Sequence, residues 1–181
     1  MFAHPQSIRF ANQYNRVFLL DCTYKTNRYK MPLLHIIGLS PSNSSFSIAF
    51  CFMQNEQEES YKWTLETFFS WLNPLPFSPV LCTDRDLALV GAIKSICPRS
   101  PHLLRIWHIY KNVLAKSKQY FSSNEEFEAF MKLWKDLINS STIFDYNNQL
   151  AKFETRFSLT PAALRYMKET WLTYKEMFIR A

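Results

Sequence analysis

The chain has 181 residues, 48% of them hydrophobic and 20% charged, with a formal net charge of +6, which suits one globular domain, or one with a small insertion, and excludes a disordered polymer. No apolar run reaches the roughly 18–20 residues of a membrane span, and residues 1–10 lack the apolar stretch of a secretory signal, so no membrane partner is expected. With only Gly38 and Gly91 a phosphate-cradling Gly-rich loop is excluded, and Cys22, Cys51, Cys82 and Cys97, never in a C-x-x-C pair, read as reduced thiols of an intracellular protein.

Taken in chain order, Arg16 to Tyr24 reads as a short apolar strand ending at Asp21-Cys22-Thr23. Leu33 to Leu39 follows as a second strand, and the Ser/Asn turn at 40–44 joins it to a third. In that third strand, Phe46 to Met53, the alternation puts Phe46, Ile48, Phe50 and Phe52 on one face and Ser47, Ala49 and Cys51 on the other. The period then turns helical at Tyr61, Leu65, Phe68, Phe69 and Leu72, and stops before Pro74. Pro79 to Thr83 is a fourth strand running into Asp84. A helix lined by Leu89, Ile93 and Ile96 follows, ending at Pro98. His102 to Trp107 reads as a fifth strand feeding a helix from about His108 to Lys118.

The rest is helical. Ser123 and Glu126 form a capping box ahead of the Phe127, Phe130, Met131, Trp134, Leu137 stripe. A second stripe runs through Tyr146, Leu150, Phe153 and Phe157. Thr160-Pro161 opens a third, through Leu164, Met167, Trp171, Tyr174 and Phe178. These aromatic stripes read as core. The order implies an α/β fold with a mixed five-stranded sheet flanked by helices.

Charge is unevenly spread. Residues 1–55 carry five bases and the single acid Asp21, whereas residues 87–124 carry six bases and no acid. Such a stretch attracts polyanions through counterion displacement, or serves simply as a solvated face. Asp21 and Asp84 both stand at the C-terminal ends of predicted strands, the edge where sites form in open α/β sheets. If the two strands are neighbours, the carboxylates converge and repel unless a cation lies between them. Hard oxygen ligands suit Mg²⁺ or Mn²⁺, which can clamp the oxygens of a phosphoryl displacement. For Asp21 the alternative is a turn cap at a strand end.

Three words sharpen this: Asp21-Cys22-Thr23-Tyr24-Lys25-Thr26-Asn27, Thr83-Asp84-Arg85-Asp86-Leu87-Ala88-Leu89 and Trp107-His108-Ile109-Tyr110-Lys111-Asn112-Val113. With Glu56 and Tyr61-Lys62-Trp63 between them, they resemble the transposase domain of Mutator-like elements (MULE) over about residues 14–115. The resemblance implies an RNase H-like fold with a DDE-type site. Asp21 would be its first carboxylate and Asp84 its second, both holding Mg²⁺ or Mn²⁺. It further implies a transposase core over residues 1–120 and a C-terminal all-helical insertion over 121–181, truncated at its end. The family's third acid has no matching word here, so it is expected beyond Ala181; Glu154, Glu169 and Glu176 read as solvated helix faces. Arg105 stands where the family has the Cys of its Cys-x-x-His word, so His108 reads as a hydrogen-bonded histidine at a strand–helix junction. Trp107 reads as core packing, with stacking on a nucleic-acid base as the alternative. Asp86 suits the first turn of a helix rather than the acid site. Nucleic-acid contacts are expected from Lys25, Arg105, His108 and Lys111.

The function implied is a fragment of a transposase catalytic domain, cutting and joining DNA with metal in the intact protein. The alternative is a domesticated, non-catalytic DNA-associated or transcription-regulatory protein. A cellular nuclease of the RNase H-like superfamily would leave the Thr-Tyr-Lys-Thr-Asn word unexplained. DNA is the expected partner, the nucleus the expected location, and a homo-oligomer stays open for the intact transposase.

Overall fold

The computed structural model describes residues 1–23 and 27–179. By compactness the chain divides into two units at Leu104/Arg105. The first unit holds β1 (Phe2–Ala3), α1 (Pro5–Gln13), β2 (Val17–Thr23), β3 (Leu33–Leu39), β4 (Ser45–Phe52), α2 (Glu58–Ser70), β5 (Val80–Thr83), α3 (Leu87–Ile96) and β6 (His102–Leu104). These strands make one mixed sheet in the order β1-β4-β3-β2-β5-β6. Pairing is antiparallel from β1 through β4 and β3 to β2, and parallel from β2 through β5 to β6. Among the described residues the sheet therefore has six strands where the alternation implied five. The extra one is the two-residue β1, too short to leave a periodic signal, and Pro5 at the first turn starts α1, a nine-residue helix with a single buried residue, Ala11, and so no apolar stripe.

One face of the sheet carries the core. Phe18 and Leu20 of β2, Leu34 and Ile36 of β3, and Ala49 and Cys51 of β4 are buried there with Tyr61, Leu65 and Phe68 of α2 and Leu89 and Ile93 of α3. The rings of Phe18 and Phe68 meet edge to face at 5.2 Å, a geometry that adds to the area they bury. The facing of β4 differs from the strict alternation. A bulge opposite Ile36/Ile37 places Ile48 and Ala49 both inside, so Ala49 and Cys51 enter the core while Phe50 and Phe52 turn to the opposite face. An extra residue in one strand inverts the alternation beyond it. Gly38 of β3 lies under the ring of Phe46, where an added Cβ would sit 2.8 and 2.9 Å from Cε1 and Cε2. That ring in turn packs edge-on to Phe10 and Tyr14, joining α1 to the sheet.

The second unit holds α4 (Ile106–Ser117), a 3-10 turn at Lys118–Tyr120, α5 (Asn124–Ile138), α6 (Ile143–Arg156), α7 (Pro161–Thr170) and a 3-10 segment at Leu172–Met177. Ser123 caps α5 by accepting from the Glu126 amide at 3.1 Å, and Thr142 caps α6 by accepting from the Asp145 amide at 3.0 Å. The core is aromatic: Phe130 meets Phe153 and Phe157, and Trp134 meets Phe153 and Phe178. The last stripe is not one helix. It breaks after Thr170 into 3-10 turns with Tyr174 outside helical geometry, and the Thr160 side chain makes no cap bond. Among the described residues no helix is long and apolar enough to cross a membrane.

Candidate functional site

Asp21 occupies the β2 face opposite the core, because Phe18 and Leu20 take the inward positions. Its antiparallel neighbour is His35. On its other side β5 runs parallel to β2, and the last register pair is Leu20 with Thr83. The next residue along β5 is Asp84, which brings the two aspartates side by side. Their carboxylate oxygens lie within 4.8 Å of one another, and both residues are half-buried. Neighbouring parallel strands therefore do bring the two carboxylates together at one sheet edge.

The surroundings hold this edge in place. The Thr83 hydroxyl, fully buried, donates to the Asp84 carbonyl at 2.7 Å and meets His102 Nε2 at 2.8 Å. With the hydroxyl hydrogen used on Asp84, His102 Nε2 must be the donor, and its Nδ1 is left buried without a partner. Burial, with a smaller contribution from the Lys94 ammonium, pushes the His102 imidazole down to about 4. On the other flank Asp86 caps α3: its Oδ1 accepts from the amides of Ala88 and Leu89 at 2.9 and 3.2 Å. Its Oδ2 accepts the Tyr61 hydroxyl at 2.7 Å. Asp86 is thus engaged in ending a loop and starting a helix. Cys22, one residue after Asp21, points inward and donates to Glu56 at 3.2 Å; burial pushes its thiol up to about 12, which disfavours the thiolate. All four cysteines are free thiols.

The donor chemistry of the pair fits a divalent ion. Mg²⁺–oxygen bonds of about 2.0–2.1 Å place two ligand oxygens within roughly 4.2 Å of each other, so a small side-chain rotation closes the pair on one ion. Such ions commonly take one or two carboxylates and complete their shell with water or phosphate oxygen. Asp21 and Asp84 would be the residues holding it, and a bound ion would supply Lewis-acid stabilisation of a phosphate oxygen. Beside the pair, His35 stacks on Phe50 at 4.3 Å and bonds Ser47 at 2.9 Å. Burial lowers its imidazole, opposed by the charge of Asp21.

The other expected contact residues sit at the start of the second unit. Arg105 is the N-cap position of α4, His108 lies in the first turn, and Lys111 in the next. Lys25 lies outside the described residues. Trp107 is not core: it is 62% exposed, its ring edge-on to His108 at 4.6 Å with the Lys111 ammonium 5.1 Å from its centre. On α4 the buried positions are Ile109, Val113 and Ser117, and Trp107 falls on the opposite side of that helix.

Sequence reasoning had no signal for Thr83 and His102, which meet only because β5 and β6 pair in parallel. Tyr61 and Glu56 stood in the family-like words without a role, because their partners are distant in sequence.

The MULE transposase domain model matches residues 17–112, which is more than half of the chain. The chain belongs to this family. Its MULE domain spans the whole paired-aspartate edge and the first turns of α4. Similar proteins from Arabidopsis thaliana are Protein FAR1-RELATED SEQUENCE 5, 25% identical over 91% of this chain, and Putative protein FAR1-RELATED SEQUENCE 10, 26% identical over 94%. Protein FAR-RED IMPAIRED RESPONSE 1 from the same plant is 27% identical over 81% of the chain. The chain spans 22%, 25% and 17% of the lengths of these three relatives.

Proposed function

We propose that this chain is the transposase-derived, DNA-associated domain of a regulatory protein rather than a working recombinase. The observation that carries the reading is the reach of the likeness. It extends past the MULE match into the helical second unit, covering 91% and 94% of the chain in two relatives. Those two relatives are named as FAR1-related and a third for an impaired far-red response, none of the three for an enzyme. In this reading the chain keeps the RNase H-like fold of a DDE transposase, with residues 1–120 as core and 121–181 as the family's helical insertion. Asp21 and Asp84 keep the ability to hold Mg²⁺ or Mn²⁺. Lys25, Arg105, His108 and Lys111 contact DNA, and the nucleus is the working compartment.

Two assays on the chain test this together. Calorimetric titration with Mn²⁺ should give binding that Asp21→Asn and Asp84→Asn each weaken at least several-fold. Supercoiled plasmid incubated with the same chain and Mg²⁺ or Mn²⁺ should stay unnicked while duplex DNA is still bound. Nicking that Asp84→Asn abolishes would overturn the non-catalytic reading in favour of a transposase fragment. Unchanged Mn²⁺ affinity in both variants would remove the metal site.

A further inference from the structure

The exposed face of α4 has a composition that neither a core nor a purely solvated surface requires. Trp107, Lys111, Leu114 and Lys118 follow one another at helical spacing, so they form a single stripe over roughly 16 Å of axis. Trp107 is 62% exposed and Leu114 38% exposed, so apolar area that burial would reward stays in water. Residues 105–120 contain no Asp or Glu. The stripe leads into a cleft of about 560 Å³ lined by residues of α4, the following 3-10 turn and α5, to which Leu114 and Lys118 both belong. That cleft is also lined by Lys132, Lys135 and buried Met131, against one carboxylate, Glu128.

We propose that this stripe and cleft form a track for single-stranded nucleic acid, in which an unpaired base stacks on Trp107 and the next nucleotide enters the cleft. The inference rests on the DNA-associated reading above and deepens it. An indole presents a large flat π face at low entropy cost, and every base has a matching face, so stacking is tolerant of sequence. The Lys111 ammonium lies against the ring, adding a cation beside the bound strand's phosphate. Lys118, Lys132 and Lys135 continue the positive line along the cleft. Its volume falls within the range of small-ligand sites, enough for a base and its sugar. A duplex keeps its bases stacked on each other and offers Trp107 nothing to cover, so single strands are preferred. An acidic peptide would satisfy the lysines but leave the indole face bare.

The test is fluorescence anisotropy of a labelled oligo(dT) with the 181-residue chain, alongside a duplex of equal length and a poly-glutamate competitor. Trp107→Ala should weaken oligo(dT) binding on the order of tenfold, with Trp107→Phe restoring most of it. Duplex affinity should change little in Trp107→Ala. Lys132→Glu with Lys135→Glu should weaken oligo(dT) binding further, and Trp63→Ala, which alters another exposed tryptophan, should leave it unchanged. Since Trp107 is exposed, circular dichroism should show the variants folded. Equal oligo(dT) affinity in Trp107→Ala and the unaltered chain overturns the track while leaving duplex association standing. Displacement by poly-glutamate as effective as by oligo(dT) overturns it in favour of an acidic protein partner. Failure to bind either nucleic acid overturns both the track and the DNA-associated reading.

Discussion

His102 shows how a single side chain can tie the paired-aspartate edge to pH. In the fold it is neutral, donating through Nε2 to Thr83, with Nδ1 buried and unpartnered. A second proton would have to sit on that nitrogen, where no acceptor receives it, and close to the repelling Lys94 charge. The folded imidazole titrates near 4 and the unfolded one near 6.5. Between those values the unfolded chain holds more protons, so stability rises with pH. The contribution is complete above 6.5 and is lost as pH falls toward 4. Thermal melts of the chain should drop through this window, and His102→Asn should flatten that part of the profile. An unchanged slope in the variant would place the acid sensitivity elsewhere.

At the scale of elements, the turn from β5 into α3 is held by one carboxylate making three bonds. Asp86 satisfies two of the open amides at the start of α3 and accepts the hydroxyl of fully buried Tyr61 from α2. Replacing it with Ala removes a cap and strands a buried hydroxyl, a loss on the order of 2–4 kcal/mol. Urea unfolding of Asp86→Ala should show a lowered midpoint with little change in slope, and Asp86→Asn should recover part of it. A midpoint within error of the unaltered chain would mean that water replaces all three bonds. Gly38 works at the same scale: the space a side chain would need is filled by Phe46, so the β3–β4 pair depends on that residue having none.

For the whole molecule the relevant quantity is the distribution of charge. The net +6 arises mainly from residues 1–55 and 87–124, while residues 56–86 are acidic. Association with duplex DNA through such a surface is driven by counterion release, and log K falls by about 0.9 per phosphate neutralised for each tenfold rise in salt. Duplex affinity of the chain should therefore fall steeply between low and moderate salt, and Lys111→Ala should reduce the slope by about one. Tight binding that ignores salt would mean that apolar or base-edge contacts dominate instead.

Much of this was legible in the amino-acid order. The order alone determined that strands alternate with helices, that β3 runs from Leu33 to Leu39, that Ser123 starts a helix, and that one aspartate lies near the C-terminal end of β2 and another directly after β5. Periodicity and capping are local physics, and they survive without knowledge of neighbours. Which residues face inward on β4 was decided by a bulge, and a bulge is set by the partner strand rather than by the strand itself. The meeting of Asp21 and Asp84 needed β2 and β5 to pair in parallel. The aromatic pattern around residue 107 looked like core, yet on α4 the buried side runs through Ile109 and Val113 and leaves Trp107 in solvent. Thr83 and His102 became partners only through the β5–β6 register. Contacts between residues far apart in the chain leave no period to read, so only the folded arrangement could decide them.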